Sequence, residues 1–404
     1  MKPKVAIIIE RADVGLGGAE RSIRELADAL AALDYDTHIL AAKGQATAAN
    51  VHILCSDLPR TRTVRGLPGK RTSYRAFARA LRAHIKENRY DIIHSVLPFD
   101  FADIYQPRGG IYAEALVRNA ASYSNRILEL WKIATGFANL RRAVLMKAER
   151  RLCQLRDGPV IIAISQYVAE QFGRHYGVEA GRVTVIPSGV KTTDSVDAEQ
   201  VSRLRKQIFT QLGVRQTDNP VLFLFAANNF RLKGLGCLIK ALALVSAKRC
   251  ARPAFLIVVG SDKTASYERL AAKLNVAQKV LFLGRVAHIA DALAVADVAV
   301  LPTFYDPCSR FILEALAAEK PVITTRFNGA SEQFSDNRHG RVIDRPDDIA
   351  DLADCLLHFT ETANIQKASR AIMEDNLRQK VSISRVAEQL KKVYDAIPAG
   401  RRRQ

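Results

Sequence analysis

What this sequence lacks narrows it first. No apolar run approaches the ~20 residues of a bilayer-spanning helix, so the chain carries no such span. Cysteine is sparse and scattered: Cys55, Cys153, Cys237, Cys250, Cys308 and Cys355 form no C-x-x-C spacing. They read as free buried thiols in a reducing compartment and not as a zinc site. The apolar stretch Val5–Ile9 behind Met1-Lys2-Pro3-Lys4 is too short for a secretory signal and runs into acid and glycine residues. No internal repeat is present. Acidic residues are scarcest where basic ones crowd. Residues 60–89 hold ten Lys and Arg against one acid, Glu87, and residues 115–157 hold nine against three, in a chain of formal net charge +19. Such fields attract anionic surfaces such as phosphorylated lipid, membrane or nucleic acid. Charge is the sole support for a nucleic-acid reading, so no nucleic-acid partner is expected.

What is present is a long alternation of short apolar strands and amphipathic helices. The 404 residues suffice for two or three domains with proper cores. Val5–Ile9 is a first strand, followed by Gly15-Leu16-Gly17-Gly18 and a helix over Ala19–Leu33. A glycine loop between strand and helix is either a tight turn or a set of backbone N–H groups turned toward an anion. It is not the dinucleotide fingerprint. In that register the third glycine is Glu20, and no acid ends the next strand, Thr37–Ala41. Residues 60–72 read as a basic loop. Residues 73–88 read as a helix with Tyr74, Phe77, Ala78, Leu81 and Ile85 on one side and Arg75, Arg79, Arg82 and Lys86 on the other. That basic side is a solvated face or a surface for an anionic partner. Asp91-Ile92-Ile93-His94 is a buried strand ending in a histidine that suits either a core position or a functional one. Residues 115–157 mix cations with Tyr123, Trp131 and Phe137 on helices, which fits a membrane interface or a core face backed by a solvated one. Ser165 is placed to cap a helix reaching Tyr176, and residues 191–219 bridge to a second β/α series.

That second series opens on the apolar strand Val221–Ala226 and continues with Asn228-Asn229-Phe230-Arg231-Leu232-Lys233-Gly234 and a helix. Further strands follow at Phe255–Gly260 and Val280–Gly284, then a helix over Val286–Ala296. Val298–Leu301 leads through Pro302-Thr303 to Asp306-Pro307, a turn. Next come a mostly buried helix carrying Phe311, Leu313, Ala315, Leu316 and Ala318, its end at Pro321, and a strand at Val322–Thr324. Asp306 and Glu314 stand eight residues apart around the start of that helix. Two such β/α halves, joined near residue 190, predict two facing Rossmann-like domains with a cleft between them.

The segment from Asp306 to Ile323 resembles the E-x7-E motif of retaining glycosyltransferases of the GT-B fold, family 4 in particular. Asp306 stands at the first Glu and Glu314 at the second; Ala315, Ala317, Pro321, Val322 and Ile323 match. The departures are Asp306 for Glu, Cys308 for Phe and Ser309 for Gly. Gly17-Gly18-Ala19-Glu20-Arg21 resembles the family's G-G-x-E/Q-R loop, and Ile186-Pro187-Ser188-Gly189-Val190 its I-P-x-G-V segment. Lys233-Gly234 matches the end of its G-R-x-x-x-x-K-G pattern, with Arg231 out of register. Residues 102–114 resemble lipopolysaccharide-core glucosyltransferases, with Gly109 where those carry an acid.

The resemblance implies an α/β, GT-B chain with parallel sheets and an interdomain cleft. Its domains are expected at residues 1–188, on the acceptor side, and 189–378, binding the nucleotide sugar. Residues 379–404 are expected to cross back to the first domain and end in a basic tail. It implies retaining transfer of a hexose from a nucleotide sugar, with UDP expected, to a cell-envelope glycan or glycolipid such as lipopolysaccharide core. Asp306, Lys233 and Glu314 would be catalytic. Gly17, Gly18, Asn229, Arg231, Arg285, Ser309, Arg310 and Phe311 would bind the donor. His94, Asp103, Arg108 and Gly109 are candidates on the acceptor or sugar side. Lys233, Arg231 and the N–H groups around Ser309–Phe311 would stabilise the leaving diphosphate. With no Asp-x-Asp motif, neither a metal nor a cofactor is expected. The expected place is the cytoplasm, peripheral on the inner face of a bacterial plasma membrane. The alternatives are a catalytically silent binding protein and a sugar-nucleotide epimerase of the same fold.

Overall fold

The structure is a computed structural model that describes residues 2–13, 18–55, 60–62, 68–123, 125–137, 139–192, 196–248 and 250–397. The chain forms two compact units. One comprises Met1–Ala120, Ser124–Gly189 and Ile383–Gln404; the other comprises Ala121–Tyr123 and Val190–Ser382.

The first unit starts with β1 (Lys4–Arg11), α1 (Gly18–Ala31), β2 (Asp36–Lys43) and β3 (Val51–Ile53). A short antiparallel ribbon follows, β4 (Arg60–Arg62) with β5 (Pro68–Thr72). This corrects the expected loop over 60–72. Thr61 and Thr72 favour extended backbone, and Pro68 is tolerated as the first residue of a strand. Then come α2 (Tyr74–Asn88), β6 (Ile92–Ser95), β7 (Ile104–Tyr105), α3 (Tyr112–Ala121), α4 (Arg126–Phe137), α5 (Leu140–Gln154), β8 (Val160–Ala163), α6 (Gln166–Tyr176) and β9 (Val183–Val185). The seven-stranded sheet runs β3-β2-β1-β6-β7-β8-β9 and its pairs are parallel.

Both faces of β1 are covered, which is why its sequence is continuously apolar rather than alternating. Val5, Ile7 and Ile9 meet Ile23, Leu26 and Leu30 of α1. The same cluster takes in Ile383, Val386, Leu390 and Tyr394 of the chain's last helix, Ile383–Ala396. Ala6 and Ile8 face the other way, onto Phe77 and Leu81 of α2. Arg75, Arg79, Arg82 and Lys86 lie on the exposed side of α2.

One carboxyl group ties four elements of this unit together. Glu149 of α5 is fully buried. Its Oε1 accepts from the Tyr105 hydroxyl at 2.6 Å. Its Oε2 accepts from the Tyr176 hydroxyl at 2.7 Å and from the Tyr112 N–H at 3.0 Å. Burial pushes the carboxyl up to about 7 from its ordinary 4.5, against the pull of those three bonds.

The second unit contains α7 (Ala198–Leu212), β10 (Val221–Ala226), α8 (Leu235–Ser246), β11 (Ala254–Val259), α9 (Ala265–Lys273), β12 (Val280–Gly284), α10 (Ile289–Val295) and β13 (Val298–Leu301). It continues with α11 (Arg310–Ala317), β14 (Val322–Thr325), β15 (Gly340–Ile343), α12 (Ile349–His358), α13 (Thr362–Glu374) and α14 (Leu377–Lys380). Its sheet runs β12-β11-β10-β13-β14-β15, again with parallel pairs. The chain winds outward from β10 through β11 to β12, then returns to the other side of β10 as β13. The topological switch point therefore lies between β10 and β13, where ligands bind in open α/β sheets.

Two helices are shorter than their periodicity suggests. Helix α10 starts at Ile289 because His288 is extended. Helix α11 stops at Ala317, ahead of Pro321, because Glu319 turns into the left-handed region (φ 58°) and the Lys320 N–H returns to the Ala315 carbonyl at 2.9 Å. At the head of α8, Gly234 has φ 81°, and a Cβ there would lie 2.0 Å from the Pro302 carbonyl oxygen.

Two stability measurements test these points. The folded Glu149 carboxyl holds its proton more tightly than the unfolded one. Its contribution to stability is therefore complete below about pH 4.5 and lost as pH rises to about 7. Replacing it by Gln removes that titration. Urea titrations should show wild type losing about 3 kcal/mol relative to Glu149→Gln between those limits. Gly234→Ala should cost more than ~2 kcal/mol, whereas Gly213→Ala should cost only ~1 kcal/mol. Gly213 is also left-handed (φ 65°), but a Cβ there meets no heavy atom within 4 Å.

Candidate active site

The loops that leave β10 and β13 meet at the switch point of the second unit. After β10 the backbone makes one tight turn. The Lys233 N–H bonds the Asn229 carbonyl at 3.0 Å, and the Asn229 side-chain oxygen accepts from the Leu232 N–H at 3.1 Å. Asn229 thus shapes the turn that presents Lys233. Gly234 completes it in a conformation and a space that exclude a side chain. After β13 the loop is fastened to that turn. The Phe304 N–H bonds the Leu232 carbonyl at 2.9 Å, and the Thr303 hydroxyl bonds the Tyr305 carbonyl at 2.9 Å.

Here Lys233 and Asp306 come together. The Lys233 Nζ donates to Asp306 Oδ2 at 2.7 Å and to the Tyr305 carbonyl at 2.8 Å. Both side chains are only partly exposed. The Asp306 backbone is fixed on both sides, its N–H on the Phe327 carbonyl and its carbonyl on the Gly329 N–H, each at 2.9 Å. Its Oδ1 accepts from the Cys308 N–H at 3.3 Å. The shortened carboxylate therefore folds over its own turn while still meeting the lysine.

Helix α11 begins immediately beyond. Ser309 is its N-cap, with Oγ accepting from the Ile312 N–H at 3.5 Å, while its own N–H donates to Asn328 Oδ1 at 3.0 Å. Ser309 and Phe311 are buried. Ser309 is thus placed as a cap, and Phe311 can offer only its first-turn backbone N–H to the surface. Arg310 Nε donates to Glu314 Oε1 at 2.8 Å, one turn along. That holds Glu314 as an oriented carboxylate beside the helix start, where the backbone dipole favours an anion. Arg285, just past β12, is exposed.

A layer of buried polar side chains under this site escaped the sequence reading. The Thr325 hydroxyl donates to the Thr303 carbonyl at 2.7 Å and that of Thr324 to the Leu301 carbonyl at 2.8 Å. Asn328 Nδ2 donates to Thr324 Oγ1 at 2.9 Å, and its Oδ1 takes the Ala330 N–H as well as that of Ser309. The turn dipeptide Asn328-Gly329 was the available signal.

The first unit's candidates are placed differently. Gly17 lies outside the described residues; Gly18 opens α1. His94 is fully buried at the end of β6, with Nδ1 2.7 Å from the Tyr394 hydroxyl of the last helix. Burial, with Arg108 nearby, pushes its pKa down to about 3, so the ring is neutral. The ring also lies beside the fully buried side-chain amide of Gln106. Asp103 Oδ2 accepts from the Ile93 N–H at 2.7 Å, which makes its carboxylate a staple between strands. Arg108 reaches Ser188 Oγ at 3.3 Å. Gly109 is exposed, and a Cβ there would meet open space. The acid expected at 109 is thus missing without any steric reason for its absence.

Among the described residues no group of three or more His, Cys, Asp or Glu is placed to hold a metal ion.

Comparison with known proteins covers both units. Residues 16–194 match the model for Glycosyltransferase Family 4, and residues 219–362 match that for Glycosyl transferases group 1. The lipopolysaccharide glucosyltransferase WaaG of Escherichia coli (strain K12) is 24% identical over 331 residues, 82% of each chain. A WaaG crystal structure, described as that of a glycosyltransferase involved in lipopolysaccharide biosynthesis, aligns with a TM-score of 0.67 at 20% identity over 97% of this chain and 99% of that one. Anabaena HepE, solved in complex with UDP-glucose, aligns with a TM-score of 0.67 at 19% identity over 97% of this chain and 99% of its own. Two parallel Rossmann-like halves, a lysine and a carboxylate joined at a switch point, and family models matching each half lead to one conclusion: the chain belongs to the GT-B glycosyltransferases of the family 4 type.

Proposed function

We propose that this chain transfers a hexose from a nucleotide sugar, UDP-hexose in the first instance, with retention of anomeric configuration. The carrying observation is the 2.7 Å contact between Lys233 and Asp306, 73 residues apart in sequence, beside the start of α11. Breaking the anomeric bond leaves negative charge on a diphosphate. The Lys233 ammonium and the first-turn N–H groups of α11 supply compensating charge fixed in advance, so little reorganisation is needed as the bond breaks. Asp306 is the hydrogen-bond acceptor for a donor-sugar hydroxyl, and Glu314, oriented by Arg310, for the ribose hydroxyls. Of the side chains assembled here none is set as a nucleophile, and we assign assistance of the acceptor to the leaving phosphate on the same face. The reaction is proposed to need no metal, because the cationic charge comes from side chains. HepE in complex with UDP-glucose supports the donor class, and the similarity to WaaG supports a cell-envelope glycan or glycolipid such as lipopolysaccharide core as acceptor.

A lipid-linked acceptor places the enzyme at a membrane. Among the described residues no helix is long and apolar enough to cross one. Helix α4 nonetheless turns large apolar side chains outward: Ile127 is 78% exposed, Leu130 67% and Trp131 55%, and Leu140 at the start of α5 is 66% exposed. Lys132 lies over the Trp131 ring, and Arg142, Lys147 and Arg150 follow on α5. Apolar side chains flanked by cations suit an anionic bilayer interface. We therefore assign the protein to the cytoplasmic face of the membrane as a peripheral enzyme.

Calorimetry without metal should give micromolar binding of UDP or a UDP-hexose. Lys233→Ala and Glu314→Ala should each weaken it about tenfold, ~1.4 kcal/mol. Absence of binding by any uridine, guanosine or adenosine nucleotide to folded protein would overturn the donor assignment. Formation of an isomerised UDP-hexose without acceptor would mark an epimerase, and UDP binding with neither transfer nor hydrolysis a silent binding protein. For the membrane, vesicles containing phosphatidylglycerol should sediment the protein at physiological salt far better than phosphatidylcholine alone. Leu130→Ser with Trp131→Ser should abolish the difference.

A further inference from the structure

Three imidazoles gather toward the amino ends of the first sheet's strands, away from the carboxyl ends where ligands bind in such folds. His38 lies on β2, His52 on β3 and His84 on α2, and all three are half-buried. His38 Nδ1 and His52 Nε2 are 2.9 Å apart, with ring planes within 16° of parallel. The His52 and His84 rings follow, 4.9 Å between centroids. His84 Nε2 meets the hydroxyl of the buried Tyr90 at 3.0 Å, and the Tyr90 ring packs against that of His38 at 5.5 Å. The circuit joins two strands, the helix over them and the turn that leaves the helix.

A contact of this length between two ring nitrogens is a hydrogen bond with a single proton on its line. A neutral pair satisfies it, and so does one imidazolium facing one neutral ring. Two imidazoliums set N–H against N–H, and the bond is lost. Asp36 Oδ1, 3.2 Å from His38 Nε2, suits one positive charge. The other charged groups facing the trio are Lys4 of β1 and Glu87 of α2. The Lys4 ammonium lies 4.9 Å from the centre of the Tyr90 ring and donates to the Asn88 carbonyl at 3.4 Å. Asn88 Nδ2, fixed by its bond to the His84 carbonyl at 2.9 Å, stands 3.3 Å from His84 Nδ1 and favours a lone pair there, as in the neutral ring. Burial lowers the affinity of His52 and His84 for a proton, and the neighbouring imidazoles and Lys4 lower it further, against the pull of Glu87 on His84.

We propose that His38, His52 and His84 act as a proton-operated latch, fastening α2 to the β2–β3 edge of the first sheet at neutral pH and loosening it on acidification. The trio accepts one proton without loss of its contacts, and each further proton breaks a contact on which the circuit depends. An imidazole that resists its proton in the folded chain and takes it in the unfolded one stabilises the fold fully above about pH 6.5. That contribution is lost as pH falls below this value.

Urea titrations of wild type, His52→Gln and His84→Gln at about pH 7.5 and about pH 5.5 test the latch. Glutamine keeps a polar side chain and cannot take the proton. Between the two conditions the folded-to-unfolded ratio of wild type should fall about threefold to tenfold more than that of either variant. Glu149 shifts stability the opposite way over this range, and its effect cancels in the comparison. Hydrogen exchange on wild type alone, corrected for intrinsic rate, keeps the test open should the variants not fold. Protection of α2 and β3 should fall between the same conditions while that of α8 and α12 in the second unit holds. A wild-type pH dependence equal to that of either variant, or protection of α2 falling no more than that of α8 and α12, would overturn the proposal.

Discussion

An ammonium and a carboxylate from loops 73 residues apart meet at 2.7 Å, and much of the second unit is arranged so that they can. A pair this close and only partly exposed gains from the lowered dielectric around it and loses hydration, so its geometry must be held by the scaffold and not by the pair itself. The scaffold does so through parallel strands β10 and β13, which are direct neighbours, and through two loops hydrogen-bonded to each other before either reaches its charged residue. The left-handed glycine after Lys233 lies where a side chain would strike the Pro302 carbonyl, so even the closeness of the loops is written into one position.

Below the pair lies a buried polar layer with unusually complete pairing. Thr303, Thr324, Thr325 and Asn328 are fully buried, and each makes a hydrogen bond to the backbone of the 301–310 segment. Satisfied networks of this kind specify one conformation, because every alternative leaves a buried donor or acceptor unmatched. The first unit uses the same device around Glu149, where three donors converge on one carboxyl.

The second unit's site was largely legible in the sequence because its markers are local. Lys233-Gly234 and the Asp306…Glu314 spacing each lie within one strand–loop–helix unit, so the family resemblance of a short segment suffices to find them. Ser309 was read as a donor contact without its local role: a serine just before a helix is first of all a cap, and here it is buried as one. Asn328 was missed because its role depends on tertiary closure that no window of neighbouring residues contains. The same holds for Asp103, which looked available and is taken by a backbone N–H on the adjacent strand. His94 was left between two readings, and the hydroxyl it meets comes from Tyr394, 300 residues later.

The last helix deserves its own consequence. Ile383, Val386, Leu390 and Tyr394 complete the cluster that covers β1 and α1. Elements that precede the second unit are thus sealed by a helix that follows it. During translation the second unit has all its strands before that helix emerges, whereas the cluster over β1 and α1 waits incomplete. Order of assembly therefore runs against order of sequence, and the interval of exposure falls on the unit that holds the basic run of residues 60–89.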